Sequence, residues 1–503
     1  MKIALSLLKP LKANKHKRDL FILCFLLLVG LLSFGSTLNK PLLSDDYDVM
    51  YRLVYKKQFW LPGFFRPLSD ITLLMTYWIS GTNSFLYNFF NLSIHIGCSF
   101  LLYKVTCQIM LSRGKGYVII ALSAALLFLI YPFHTEAVFW IVGRGSLLAA
   151  CCALLCLSLV LKGGSKNILL ACLFYFVGLA AYESILFLPV IILVLDYKQE
   201  DKMKKNFHLV IFFGLTLLSH VAIRVILAKS IWGNYGQKLF ESSFEVYVIN
   251  FAKVAGRSLL PPLETPTHLV LSFSILLTGL CGVLYLLLKV RRDQVFSLRL
   301  LIALIISFII PTMFGVSTHT FEGGRLLYFP AVFLALWIAH LISLVNSKVI
   351  RNIAALSLSL YFLFFLRKSA ISYKQAGYIV DHVVRKLQNE TKNNFPLAIV
   401  NLPQEINGAY VFRNGFDAAL HINNIKETTV KVLRTMTSEE AQKIRGAIMT
   451  YHLASGFYIP PSTWVIKDSI IIKLPVSQQR VCYNREEFRQ LYYWNKEELL
   501  LVE

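Results

Sequence analysis

From residue 19 to about residue 367 the chain alternates apolar runs with short polar segments. Most of the runs approach the roughly 20 residues that a helix needs to cross a bilayer. Spans are predicted near residues 19–36, 85–108, 117–133, 138–161, 167–181, 184–197, 207–229, 268–289, 297–315, 326–346 and 350–367, about eleven in all. The interval 37–84 is a long, partly apolar first loop. Its stretch Ile71–Ile79 is too short to span and reads as an interfacial or re-entrant helix, with Tyr77 and Trp78 suited to headgroup depth.

After residue 368 the pattern changes to that of a soluble domain. Pro396–Leu402 and Ala409–Phe412 read as short strands, with Arg413-Asn414-Gly415 as a turn behind the second. Thr437-Ser438-Glu439-Glu440 is a capping box that opens a helix to about Ala454. Val465–Leu474 reads as a strand pair or one long strand. The expected architecture is a polytopic α-helical membrane domain over residues 1–367 and a small C-terminal α/β domain over 368–503.

Composition agrees with the pattern: 56% of the 503 residues are hydrophobic and 16% charged, against about 25% charged in ordinary soluble proteins. The net charge of +23 raises nucleic acid as a partner, but Lys and Arg fall in short clusters between apolar runs. That is the positive-inside signature, so no nucleic acid is expected. With the basic N-terminus cytoplasmic, the inner loops carry Arg113/Lys115, Lys162/Lys166, Lys198/Lys202, Arg291/Arg292 and Lys348/Arg351. No A-x-A-like cleavage site follows Leu20–Phe34, so the first span is expected to stay uncleaved. Of the nine cysteines only Cys482 lies in a polar region, and no disulfide framework is implied.

The outer loops read differently, because acidic and histidine residues gather there. Asp45 and Asp46, with Asp48 close behind, follow the first span. One carboxylate can act as general base for an acceptor hydroxyl while the other assists or holds a metal, since like charges on neighbours raise at least one pKa. A solvated acidic turn fits the spacing equally well. His134-Thr135-Glu136 follows Tyr131-Pro132 at a span end; the pair can bind a divalent metal or orient a phosphate, or simply cap a Pro-terminated helix. Glu322-Gly323-Gly324-Arg325, with Tyr328 a turn later, offers a backbone open to close approach and a guanidinium able to grip phosphate oxygens. Arg66, before Pro67, is a second candidate for that anion, and headgroup snorkelling is the competing role for each arginine. Asn91 and His95 lie a turn apart within a span and read as an interhelical hydrogen-bonding pair. Arg144 and Glu183, near span ends, are candidate support.

Taken in order, these motifs resemble the GT-C glycosyltransferases, polytopic enzymes that use polyprenyl-phosphate sugars. The similarity is to the protein O-mannosyltransferase-like branch, including the membrane region of the transmembrane-and-TPR mannosyltransferases. It rests on Asp45-Asp46, Arg66-Pro67-Leu68, Asn88–His95, Tyr131–Leu148, Tyr182-Glu183 leading to Asp196, and Glu322–Pro330.

The resemblance implies a GT-C-like membrane fold and inverting transfer from an undecaprenyl- or dolichyl-phosphate sugar to a protein or glycan hydroxyl, outside the cytoplasm. A bacterial inner membrane is the expected location, with the site and the C-terminal domain facing the periplasm or exterior. By the same resemblance Asp45 is the base, a role Asp46 could share. His134 and Glu136 lie near the donor phosphate or, with Asp46, a divalent metal such as magnesium or manganese. Arg325 with Tyr328 meets the departing phosphate. The chain departs from the pattern in having no tetratricopeptide array or MIR-like insertion, and in carrying Tyr182 where Lys is usual. A transporter or flippase for lipid-linked saccharides, or a polymerase or ligase for them, is the alternative. The transporter would show paired repeats and broken mid-membrane helices.

Overall fold

The computed structural model describes residues 15–502 apart from 60, 112–116, 196–201, 232–242, 290–292, 392–395, 427–428, 438–439, 441–449, 453–455, 461, 467, 475–478 and 496–497. Asp196, the loop clusters Arg113/Lys115 and Arg291/Arg292, Lys198, and most of the helix expected after Thr437 lie outside the described residues. The chain is mostly helical and divides into two compact units. One comprises Met1–Leu38, Phe59–Thr82 and Leu86–Ala370; the other comprises Asn39–Gln58, Asn83–Phe85 and Ile371–Glu503.

Among the described residues seven helices are long and apolar enough to cross a membrane, or eight if the bent pair Tyr117–Leu129 and Pro132–Phe139 is one span. Two of the expected spans, Ser165–Leu179 and Glu183–Leu195, are apolar but short. The span expected at 297–315 is met by Val295–Phe314, with a break between the helices Asp293–Ser307 and Ile309–Phe314. The loop stretch around Ile71–Ile79 is a helix, Pro67–Ser80, opened by Pro67 in the first turn, where its missing N–H costs nothing.

The sequence predicts span ends at 130–133 and 138–143 with a loop between them; residues 130–140 instead form a bent, irregular connection, and the next candidate span begins at Ile141. Pro132 holds Tyr131 extended, at φ −65° and ψ 122°, which ends the helix Tyr117–Leu129. A 3₁₀ turn, Pro132–His134, and a short helix, Thr135–Phe139, follow at a 45° bend. Trp140 is again extended, and the next long helix starts only at Arg144. Gly143 permits this reversal: a Cβ there would lie 2.7 Å from the Glu136 carbonyl oxygen. Irregular backbone of this kind is tolerated at membrane depth only when covered by protein, and Pro132–Ile141 is buried throughout.

The last long helix, Lys348–Glu390, runs 43 residues, well past residue 368. Composition changes there but helical periodicity does not. Ala370, Tyr373, Ala376, Ile379, Val380, Val383 and Leu387 are buried at three- and four-residue spacing, one amphipathic stripe.

The second unit holds two larger sheets. One is mixed, in the order Leu499–Leu501, Gln490–Trp494, Leu397–Val400, Val430–Val432; Leu397–Val400 is parallel to both its neighbours. The other is antiparallel, in the order Arg480–Asn484, Ser469–Lys473, Thr463–Ile466, Gly456–Ile459, Thr450–His452. Val465–Leu474 is therefore a strand pair. Ile470 and Ile472 point inward while their neighbours do not, and they share a core with Ala398, Val400, Val465 and Leu491. The Thr437 capping box is made, since Glu440 N–H donates to Thr437 Oγ1 and Thr437 N–H to Glu440 Oε2. Residues expected to continue that helix to Ala454 instead include the strand Thr450–His452.

Candidate functional site

In the first unit the Pro132-to-Gly143 reversal presents Glu136 to the Glu322-Gly323-Gly324-Arg325 loop. Gly323 takes φ +84°, which favours glycine, and a Cβ on Gly324 would lie 2.8 Å from the Phe133 carbonyl oxygen. With the loop this close, Glu136 grips Arg325 twice. Its Oε2 accepts the Arg325 backbone N–H at 3.1 Å and its Oε1 the guanidinium at 2.5 Å. Glu136 is fully buried, while the Arg325 side chain is 27% exposed and lies 4.9 Å from the Trp140 ring. A buried carboxylate thus orients a guanidinium that still reaches solvent.

Tyr328 and His95 meet one helical turn deeper. His95 Nε2 lies 3.0 Å from the Leu129 carbonyl, which only accepts, so this nitrogen carries the proton. Nδ1 is then the acceptor, and the Tyr328 hydroxyl donates to it at 2.8 Å. The Tyr328 proton is thereby committed to His95. His134 is fully buried among the rings of His95, Phe128, Tyr131 and Tyr328, with centroids 4.7–5.1 Å away. Among the described residues neither of its ring nitrogens has a hydrogen-bond partner.

Arg144, also fully buried, is a clamp among elements. Its Nε donates to Asn91 Oδ1 at 2.8 Å, Nη1 to the Thr72 carbonyl and Thr76 Oγ1, and Nη2 to the Tyr87 carbonyl. Asn91 turns its amide N–H groups to the Trp140 and Ile141 carbonyls. These two residues therefore tie the helices Pro67–Ser80 and Ser84–Met110 to the reversal that carries Glu136. Glu183 is shared by two arginines, Arg66 at 3.3 Å and Arg224 at 2.9 Å. Arg66 also lies over the Tyr182 ring, 4.3 Å from its centroid, so the residue at the usual Lys position is a cation's partner rather than a cation. Arg224 was not among the sequence candidates. Its signal was present, as an arginine within the apolar stretch Leu209–Ala228 of the helix Lys202–Ala228.

The aspartate pair belongs to the second unit, where it opens the helix Asp45–Met50. Structure separates its two members. Asp46 is fully buried, and its Oδ2 accepts the Leu43 N–H at 2.9 Å. Lys40, itself buried, interacts with its charge; burial pushes the Lys40 ammonium down to about 8, a shift that Asp46 partly opposes. Asp45 is partly exposed. Its Oδ1 receives the Asn414 side-chain amide at 2.7 Å and lies 3.4 Å from the Ser44 hydroxyl, and among the described residues nothing donates to its Oδ2. Burial, with Asp45 and Asp417 nearby, raises the Asp48 carboxyl above its usual range. Ser44, ahead of the pair, has φ +46°, an unusual conformation for a residue other than glycine. It is held by an N–H bond to the Val411 carbonyl and by Asn414 N–H donating to its Oγ.

Among the described residues no group of three or more His, Cys, Asp or Glu is arranged to hold a metal ion. Both Glu136 oxygens bond Arg325, and aromatic rings enclose His134.

No protein-family model matches the chain. Curated relatives, however, carry one activity in their names. The chain is similar to protein O-mannosyl-transferases. It is 26% identical to one from Caenorhabditis elegans over 180 residues, 34% of this chain and 25% of that protein. It is 32% identical to human TMTC1 over 104 residues (19% of this chain, 11% of that protein) and 35% identical to mouse TMTC3 over 86 residues (17% and 9%). The chain thus matches a quarter or less of the length of these relatives. The similarity agrees with the branch that the motif order resembles.

Proposed function

We propose that this protein is a GT-C-type membrane glycosyltransferase that moves mannose from a polyprenyl-phosphate donor to a polypeptide hydroxyl. In this reading it works in a bacterial inner membrane, with Asp45 and the C-terminal unit facing the periplasm. The observation that carries the reading is the contrast within the aspartate pair. Asp46 is buried and bonded to backbone, whereas Asp45 keeps one carboxylate oxygen open among the described residues. An open carboxylate beside a fixed one suits a base.

Asp45 Oδ2 takes the proton of the acceptor hydroxyl as that oxygen bonds to the anomeric carbon. The bond from that carbon to the phosphate oxygen breaks, its electron pair leaves with polyprenyl phosphate, and the configuration inverts. By the family resemblance, Arg325, held by Glu136, is the residue that would supply positive charge to a leaving phosphate. The similarity to protein O-mannosyl-transferases supports the sugar and the acceptor class. The basic clusters between apolar runs support the orientation.

The test is transfer by purified protein in liposomes containing labelled undecaprenyl-phosphate mannose and a pool of Ser/Thr peptides. Labelled peptide and free undecaprenyl phosphate are expected in equal amounts. Both should fall roughly 10²- to 10⁴-fold in Asp45→Asn. Turnover that survives this change removes Asp45 as base, and a reporter fused after residue 368 that proves cytoplasmic removes the orientation.

A further inference from the structure

The turn Arg413-Asn414-Gly415 lies nearly 370 residues beyond the aspartates, yet in the second unit it is built around them. Asn414 makes two contacts there. Its backbone N–H donates to Ser44 Oγ at 3.1 Å and its side-chain amide to Asp45 Oδ1 at 2.7 Å. The second bond settles the orientation of the amide, because an ionised carboxylate only accepts. Gly415 makes the approach feasible. Its φ is +75°, and a Cβ there would collide with the Ser44 carbonyl and lie 3.3 Å from the Asp48 N–H. Any larger residue would push Asn414 away from Asp45.

The rest of the segment is seated on the C-terminal chain in the same way. Pro41 packs on Gly377, and His421 sits against the rings of Tyr51 and Tyr55, 4.6 and 4.9 Å between centroids. The Asp45 carboxylate is therefore oriented by a residue from the C-terminal sequence.

We propose that Asn414 is a positioning residue for Asp45, holding Oδ1 so that Oδ2 faces the acceptor hydroxyl, and that the C-terminal region is thereby part of the transfer machinery. The role rests on the reading of Asp45 as the base. A neutral amide suits this task, since it fixes the carboxylate without the full charge of a lysine or arginine, which would weaken it as a base.

Two variants separate orientation from packing. Asn414→Ala removes the donor. Asn414→Asp keeps the shape and sets a carboxylate against a carboxylate. In the liposome assay with undecaprenyl-phosphate mannose and the Ser/Thr peptide pool, Asn414→Ala should lower kcat roughly 10- to 100-fold with KM for the donor within about twofold. Asn414→Asp should lose more than Asn414→Ala; a packing role predicts the reverse, so Asn414→Asp at wild-type kcat overturns the proposal.

A second arm needs no turnover. Carbodiimide labelling of Asp45 at about pH 5, read by peptide mapping against Asp48 in the intact protein, should change about threefold or more in Asn414→Ala. Unchanged labelling overturns the proposal whatever the activity. Full activity in Asp45→Asn with altered labelling would instead overturn the base assignment and leave the bond to Asn414 standing.

Discussion

Glu136 holds Arg325 at two points, by its backbone N–H and by its guanidinium, across 189 residues of sequence. The carboxylate is fully buried and the guanidinium is not, so the pair's stability resides mainly in satisfying Glu136. Replacing Arg325 by Ala removes the guanidinium from a buried carboxylate and should destabilise by about 2–4 kcal/mol. Arg325→Ala with Glu136→Ala should cost less than the sum of the single changes, by at least about 1 kcal/mol. Unfolding of the three variants in detergent checks this, and additive losses would show that the two residues are not coupled.

Tyr328 donates to His95, and His95 donates onward to the Leu129 carbonyl. Tyr328→Phe leaves Nδ1 buried without a donor and should lower stability by about 1–3 kcal/mol. In His95→Phe the same tyrosine change should cost clearly less. An equal cost in both backgrounds, measured by thermal unfolding, would remove the chain of hydrogen bonds.

Arg144→Lys keeps the charge but not the fork. The guanidinium reaches four acceptors on two helices, and one ammonium cannot span them. A loss of about 2–4 kcal/mol is expected, with lower yield of folded protein. Asn91→Ala should cost less, because three of the Arg144 contacts remain. A Lys variant as stable as wild type on heating in detergent would refute the clamp.

Lys40 makes stability depend on pH with a definite sign. In the folded protein burial pushes it down to about 8, from an ordinary value of 10.5. Below about 8 it is protonated folded and unfolded alike, and the cost of burying the charge is fully present. Between about 8 and 10.5 the folded state releases the proton while the unfolded state retains it, so this group's contribution to stability rises with pH. The total over the window is on the order of 1–3 kcal/mol. Thermal midpoints between pH 7.5 and 9.5 should rise in wild type relative to Lys40→Met, and parallel curves would rule the effect out.

Much of the chain's character was readable residue by residue. Apolar run length identified membrane-crossing helices, because a bilayer imposes a minimum length that does not depend on neighbours. The Val465–Leu474 hairpin and the Thr437 capping box followed from alternation and from a four-residue motif, both local signals. The residues of interest were found by the same means, since a carboxylate or histidine beside an apolar run is conspicuous wherever it points.

What these residues do to one another was not readable. The reversal at Pro132–Gly143 looked like two span ends, because the glycine approach that makes it a buried corner depends on backbone elsewhere in the fold. The helix Lys348–Glu390 runs past the end expected at residue 367, because its composition changes there while its helical period continues.

Sequence by itself thus determined a polytopic helical protein with a small C-terminal sheet region, and it singled out Asp45, Asp46, Glu136 and Arg325. Only tertiary structure decided that Glu136 serves Arg325, that Tyr328 serves His95, and that Asp46 is enclosed while Asp45 stays open under the hand of Asn414. The physical reason is range. Hydrophobic length and hydrogen-bonded periodicity are set within one or two turns of chain, whereas burial and the choice of a polar partner are set by whatever the fold brings alongside, here from 189 to 369 residues away.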